Sequence, residues 1–126
     1  MTRRRLGLRL LAAPLLATLL ASAAFAQATM RMVESFPQAN AIMDGHNTRF
    51  SVKFDGPVDH NASRLLIEQN GAVVQTLRPR LNSQPNTLYS DGHPLKPGTY
   101  MLRWVVRGMH GEDGSGAVAF TVQNQG

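Results

Sequence analysis

The sequence predicts an all-β protein, an antiparallel β-sandwich of about seven strands. Apolar and polar residues alternate at a period of two, turn dipeptides separate the alternating runs, and no stretch combines a helical period with capping residues. Turns that recur about every 8 to 12 residues are typical of two sheets packed face to face. We therefore expect one hydrophobic core enclosed between two sheets.

Residues 1–26 carry the three parts of a secretory signal peptide. Four arginines precede an apolar run over residues 10–20, and Ala24-Phe25-Ala26 supplies a small-residue cleavage box. A membrane span needs roughly 18 uninterrupted apolar residues, whereas this run is shorter and contains Pro14. We predict cleavage near Ala26, export to a bacterial periplasm, and a single domain over residues 27–126 with no membrane span in the mature chain.

The charge of the chain depends strongly on this cleavage. The whole chain has a net charge of +5, which alone would favour a nucleic-acid partner. Four of the basic residues lie within residues 1–26, where no acid occurs, so the mature chain carries about +1. We therefore expect no nucleic-acid partner. The chain has no cysteine, which excludes disulfides, thiolate zinc sites and cysteine nucleophiles.

The strands are predicted from the alternating runs in chain order. Short candidates occur at residues 30–35 and 87–89, and regular alternation marks residues 49–54, 100–107 and 118–122. Turn chemistry separates these runs, and the predicted turns are Asp44-Gly45, Asp55-Gly56-Pro57, Asp91-Gly92, Pro97-Gly98 and residues 111–116.

A hairpin and a core centre are the sharpest local predictions. Residues 64–69 and 72–78 flank Asn70-Gly71, the dipeptide best suited to a type I′ turn because both central residues need a positive φ. Trp104 lies in the middle of the most regular strand. We expect its side chain to pack between the two sheets, against neighbours such as Phe54 and Phe120.

Four segments follow one another in a distinctive order. They are MVESFP at residues 32–37, FSVKFDGPVD at 50–59, LKPGTYMLRW at 95–104 and GAVAFTV at 116–122. In order and spacing they resemble the CopC-type periplasmic copper resistance proteins. The resemblance covers essentially the whole mature chain, and it implies an immunoglobulin-like Greek-key β-sandwich that binds copper.

The copper site that the resemblance implies is incomplete in this chain. The family binds Cu(II) through an N-terminal histidine with its free amine, an acid just after the Phe-rich strand, and an Asp-x-His pair in the loop after the Trp strand. No histidine lies near the expected mature N-terminus. The positions of the Asp-x-His pair fall closest to Met109 and Gly111, with His110 displaced by one, and Asp55 or Asp59 remains as the acid.

Methionine and histidine supply a different set of soft ligands. Thioether sulfur suits Cu(I), while imidazole binds either oxidation state. The loop that carries Met109 and His110 occupies the metal-binding pole of the family, and the N-terminal strand is expected to reach the same pole. We predict copper as the bound ion, with Cu(I) favoured over Cu(II), and the ligands His110, Met109, Met30, Met32 and Asp55. The alternative role for each methionine is that of a core filler.

The remaining histidines are weaker ligand candidates. His93 follows Asp91-Gly92 and so reproduces an Asp-x-His spacing, but at the wrong end of the Trp strand. His60 follows Asp59, and His46 lies beside a turn together with Met43. Solvated turn positions are the ordinary interpretation of such residues.

The sequence offers no catalytic motif. It has no Gly-x-Ser-x-Gly elbow, no His-Glu-x-x-His pattern and no phosphate loop. The leading hypothesis is therefore a non-enzymatic periplasmic copper carrier, buffer or resistance protein that exchanges copper with a periplasmic or inner-membrane copper-handling protein. The alternative is a metal-free sandwich of the same family that binds a protein partner through its loops or an edge strand. A copper-dependent oxidative enzyme is the least favoured, because the N-terminal histidine is missing.

Overall fold

The computed structural model of the chain describes residues 29–123. The predicted signal peptide, residues 1–26, and the predicted start of the mature chain lie outside this range. Within it no helix is long and apolar enough to cross a membrane. The eight strands of this part of the chain are β1 (Met32–Phe36), β2 (Ala41–Asp44), β3 (Arg49–Phe54), β4 (Arg64–Gln69), β5 (Ala72–Leu77), β6 (Thr87–Asp91), β7 (Gly98–Arg107) and β8 (Asp113–Gln123).

Two sheets form the sandwich, which confirms the predicted fold class. The first has three strands in the order β1-β3-β6, and the second has five in the order β2-β8-β7-β4-β5. The sequence predicts about seven strands, and the additional one is β2, whose four residues end at the predicted Asp44-Gly45 turn. A strand this short produces too little alternation to be detected from sequence.

β2 also departs from the expected antiparallel pairing. It pairs in parallel with β8, in a register that places Ala41 opposite Phe120. The chain moves from the first sheet to the second between β1 and β2, where the Phe36–Pro37 peptide is cis and Asn40 has a φ of 64°. The Asn40 N–H donates to the carbonyl of Ala119 at 2.6 Å, which fixes the entry of β2 alongside β8.

The β4–β5 hairpin forms as the sequence predicted. Asn70 has a φ of 52° and Gly71 a φ of 82°, the two positive values that a type I′ turn requires. The hairpin register places Leu65 opposite Leu77, and both side chains are buried. This pair fixes which face of the hairpin turns toward the core.

The core confirms the central place of Trp104. Its side chain is 5% exposed and meets the ring of Phe54 edge-on, with 6.3 Å between ring centroids. Phe54 belongs to the three-stranded sheet and Trp104 to the five-stranded one, so this contact joins the two layers. Phe120 is also buried, and its ring contacts Phe50 at 6.1 Å and Tyr100 at 5.7 Å.

The predicted turn over residues 111–116 is only partly correct. The turn ends at Glu112, and Asp113 through Gly116 belong to β8, opposite the last residues of β7. The glycines in this stretch allow a close approach within the sheet. A Cβ on Gly116 would lie 2.5 Å from Cζ2 of Trp104, so glycine is required where the indole packs across β8.

Candidate metal centre

The N-terminal segment is held in place by the backbone at one end of the sandwich. Thr29 forms a parallel bridge with Asp113, and the Met30 N–H donates to the Asp113 carbonyl at 3.2 Å. Arg31 and Asp55 exchange two bonds: the Arg31 N–H donates to Oδ1 of Asp55 at 3.1 Å, and the Asp55 N–H donates to the Arg31 carbonyl at 3.0 Å. Met30 therefore lies between the loop that follows β3 and the start of β8.

The loop after β7 closes over the same end. The Gly108 N–H donates to the Glu112 carbonyl at 2.7 Å, and Gly111 takes a φ of 87° in the tight turn between them. The Met109 N–H donates to the Pro57 carbonyl at 3.2 Å, and Gly108 bridges to Val58. The loops after β3 and β7 and the N-terminal segment thus meet at one pole, which we call the Gly108 pole and define by Met30, Asp55 and residues 108–112.

Gly108 is the point at which a carboxylate oxygen and a thioether sulfur come together. A Cβ built on Gly108 would lie 2.6 Å from Oε1 of Glu112 and 2.9 Å from Sδ of Met30. The Glu112 carboxylate and the Met30 thioether therefore both pack closely against Gly108, where any side chain would clash with them. Oε1 of Glu112 also accepts a hydrogen bond from the His110 N–H at 2.9 Å, so the carboxylate is held against the backbone of the turn at His110.

Glu112 is not among the ligands predicted from the sequence. In a run of glycines an acid resembles an ordinary solvated turn residue, and only the closed turn brings its carboxylate back to the Met30 sulfur. The signal in the sequence was that a single residue separates His110 from Glu112 in a glycine-rich loop. Such a loop can bend so that both side chains reach one metal ion.

The two N-terminal methionines occupy different environments. The strand predicted to begin at residue 30 begins at Met32, and the pairing of β1 with β3 is irregular between Met32 and Glu34. Met30 is 6% exposed and packs into the core, whereas Met32 is 36% exposed. The two residues therefore do not share one strand face, and Met30 is the one whose sulfur lies at Gly108.

The side chains predicted as ligands in this loop are accessible to solvent. Met109 is 60% exposed, and His110 is exposed as well. Asp55 is exposed, with Oδ1 engaged by the Arg31 N–H. The Gly108 pole thus combines a buried thioether with an exposed thioether and an imidazole at the surface.

The other histidines are each engaged away from this pole. Nδ1 of His46 lies 2.9 Å from Oδ1 of Asp44, and hydrogen bonds from the His46 backbone N–H and, secondarily, its ring lower the pKa of that carboxyl. Nε2 of His60 lies within 2.9 Å of the Thr87 carbonyl oxygen. The His93 backbone exchanges two bonds with the side chain of Gln75, at 2.9 and 3.0 Å.

Hard ligands alone do not assemble a metal site. Across residues 29–123 no three side chains drawn from His, Asp and Glu come close enough together to hold an ion. A metal bound at the Gly108 pole would therefore need thioether sulfur among its ligands. Such a donor set favours a soft ion over a hard one.

Known proteins share both the sequence pattern and the fold. The family model of the CopC domain matches residues 32–123. The structure is similar to CopC from Methylosinus trichosporium OB3b, with a TM-score of 0.70 and 22% identity over 77% of this chain and 96% of that chain. It is also similar to PcoC, a methionine-rich copper resistance protein from Escherichia coli, with a TM-score of 0.62 and 18% identity over 76% of this chain and 100% of that chain. No curated protein matches the chain.

Proposed function

This chain belongs to the CopC family, and we propose that it is an exported, non-enzymatic copper-binding protein that carries or buffers copper in the periplasm. Membership in the family and the likeness to two copper resistance proteins support a copper-related role. The signal peptide predicted from the sequence of residues 1–26 supports export. Its partner in copper exchange would be another periplasmic or inner-membrane copper-handling protein.

The observation that carries the proposal is the meeting of Met30 and Glu112 above Gly108. Buried methionine usually fills a gap in the core. Here its sulfur packs against Gly108 beside a carboxylate, next to a loop that bears a second methionine and a histidine. We propose Met30, Met109 and His110 as the principal ligands, with Glu112 as an additional oxygen ligand. Met32 and Asp55 remain proposed ligands from the two adjoining segments.

Cu(I) is the favoured oxidation state in this proposal. Two thioethers and one imidazole form a soft donor set, and thioether ligands select Cu(I). Neighbouring side chains on an extended backbone point in opposite directions, so Met109 and His110 reach one ion only where the chain bends. The positive φ of Gly111 and the tight turn that ends at Glu112 supply this bend.

The test is a Cu(I) titration of protein that lacks residues 1–26, under reducing conditions and in competition with a chromophoric Cu(I) chelator. His110→Ala should weaken Cu(I) binding by about 10-fold or more, the usual sensitivity of metal affinity to changes in the ligand shell. His93→Ala is the matched control, since His93 is an exposed loop histidine outside the Gly108 pole. Loss of binding in His93→Ala with none in His110→Ala would place the site elsewhere.

Met30→Leu tests the sulfur separately from the packing. Leucine keeps a similar volume, and such exchanges usually cost less than about 1.5 kcal/mol of stability. We expect the variant to melt close to the wild type and to bind Cu(I) at least about 10-fold more weakly. If the wild type itself fails to compete with a weak chelator, the alternative of a metal-free module that binds a protein partner replaces the proposal.

A further inference from the structure

A cavity lies at the open end of the β4–β5 hairpin, away from the Asn70-Gly71 turn. It has a volume of about 490 Å³ and opens between the start of β4 and the segment that follows β5. Two arginines, Arg64 and Arg78, border it, together with His60 and the apolar side chains of Leu77, Pro79 and Leu81. None of the residues that line this cavity is acidic.

The two arginines are neighbours across the hairpin. Leu66 pairs with Thr76 and Leu65 with Leu77, so the same register continued by one residue places Arg78 opposite Arg64. Leu65 and Leu77 are buried, which turns the two arginines to the outer face of the sheet. Like charges directly opposite each other on adjacent strands destabilise a sheet. An anion bound between the two guanidinium groups would offset such a repulsion.

Other arginines near this sheet have acidic partners. Nε of Arg103 lies 3.0 Å from a carboxylate oxygen of Glu68, and Nε of Arg107 lies 3.1 Å from one of Asp113. Within residues 29–123 neither Arg64 nor Arg78 forms a salt bridge. The nearby carboxylate of Asp59 accepts the backbone N–H groups of residues 61 and 62 at 3.0 and 3.1 Å, which holds it in its own turn.

The walls of the cavity define the kind of anion that fits. Guanidinium groups bind carboxylates through paired, charge-assisted hydrogen bonds. Leu81 is 64% exposed and, with Pro79, forms an apolar wall beside the two charges. His60 is fixed at the rim, because its Nε2 lies 3.1 Å from the Gln84 carbonyl oxygen and 2.9 Å from that of Thr87. Apolar walls beside a cationic pair suit an anion that carries a hydrocarbon portion.

We propose that this cavity binds the carboxylate of an organic anion between Arg64 and Arg78, with its carbon skeleton against Leu81. The proposal is independent of copper, since the cavity shares no lining residue with the Gly108 pole. The carboxylate has two possible sources, a free carboxylic acid or an acidic side chain of a partner protein. Both present the same group to the two guanidinium groups.

The experiment is an NMR titration of amide shifts at constant ionic strength, on protein without residues 1–26. The probes are hexanoate, inorganic phosphate, chloride and a short glutamate-rich peptide. We expect hexanoate or the peptide to change the amide chemical shifts of residues around 60–64 and 76–81. The same probe should bind at least about 10-fold more weakly to Arg64→Gln or Arg78→Gln. Tighter binding of the peptide would identify a partner protein as the source, and tighter binding of hexanoate a free acid.

Arg49→Gln is the control, because Arg49 is an exposed strand arginine on the other sheet. Hexanoate should raise the melting temperature of the wild type and of Arg49→Gln but not of Arg64→Gln. An equal loss of binding in Arg49→Gln would overturn the proposal, as would shifts that chloride reproduces at the same concentration. Tighter binding of phosphate than of either carboxylate probe would overturn the proposed ligand class.

Discussion

Removal of the Trp104 side chain tests the architecture most directly. A buried aromatic side chain withdraws about 150–250 Å² from water, which at about 25 cal/mol per Å² stabilises the fold by about 4–6 kcal/mol. Trp104 is 5% exposed, so nearly all of this applies. Alanine keeps a little of the buried area, and we expect Trp104→Ala to lose about 3–5 kcal/mol, the usual range for such truncations.

That loss is a large part of the stability of a domain of this size, about 5–15 kcal/mol. Each kcal/mol shifts the melting temperature of a small domain by about 4–8 °C, so the midpoint should fall by more than about 10 °C, or the variant should fail to fold. The assay is thermal and urea unfolding followed by circular dichroism. Val105→Ala is the control, because Val105 adjoins Trp104 in β7 but faces outward and is 40% exposed.

The control should change stability by no more than about 0.5 kcal/mol. A Trp104→Ala variant that melts within about 2 °C of the wild type would refute the packing of the indole between the two sheets. An equal loss in Val105→Ala would show instead that β7 is disrupted as a whole. In either case the assignment of the two faces of β7 would be wrong.

Two further predictions concern small residues of the core. Gly116→Ala should lower the free energy of unfolding, measured in urea, by about 1–3 kcal/mol, because its Cβ would lie 2.5 Å from Cζ2 of Trp104. In a protein that already carries Trp104→Ala, this loss of stability should largely disappear. An unchanged loss in that double variant would contradict the contact. Ser90→Ala should leave the domain equally stable or more stable in the same urea unfolding, because the buried Oγ has no hydrogen-bond partner within residues 29–123. A loss of more than about 1 kcal/mol in the free energy of unfolding would show that the hydroxyl is hydrogen-bonded in solution.

Local signals were sufficient for much of the fold. Asn70-Gly71 specified its own turn, because positive φ is a property of the dipeptide and needs no distant contact. The alternation around Trp104 likewise identified the inward face of β7, since strand periodicity assigns side chains to faces directly. In both cases the information lies within a few residues of the sequence.

Long-range packing explains the predictions that were wrong. Gly114 and Gly116 suggested a turn, yet they lie within β8, where a Cβ on Gly114 would lie 2.6 Å from the Met30 carbonyl oxygen. Glycine serves there to allow close approach of another segment, and its local sequence cannot distinguish this role from that of a turn. The parallel pairing of β2 with β8 depends in the same way on where distant strands lie.

The candidate site was predictable in its location but not in its composition. The resemblance to CopC proteins located the loop of Met109 and His110, and the structure brings Met30 to the same pole. The position at which β1 begins decides which of the two N-terminal methionines turns inward. The first residue of a short strand is difficult to predict from sequence. The placement of the Glu112 side chain depends on a turn that is closed by the hydrogen bond from the Gly108 N–H to the Glu112 carbonyl.

The parallel pairing of β2 and β8 has a mechanical consequence. Tension that pulls the amino end of β2 away from the carboxyl end of β8 acts on this pair from opposite ends. In a parallel pair these forces point in opposite directions along the strand axis, so they load all the hydrogen bonds between Ala41–Asp44 and residues 120–123 together, in shear. An antiparallel pair pulled from one end would instead open one bond at a time. The sandwich should therefore resist stretching between Ala41 and Gln123 more strongly than its thermodynamic stability alone suggests.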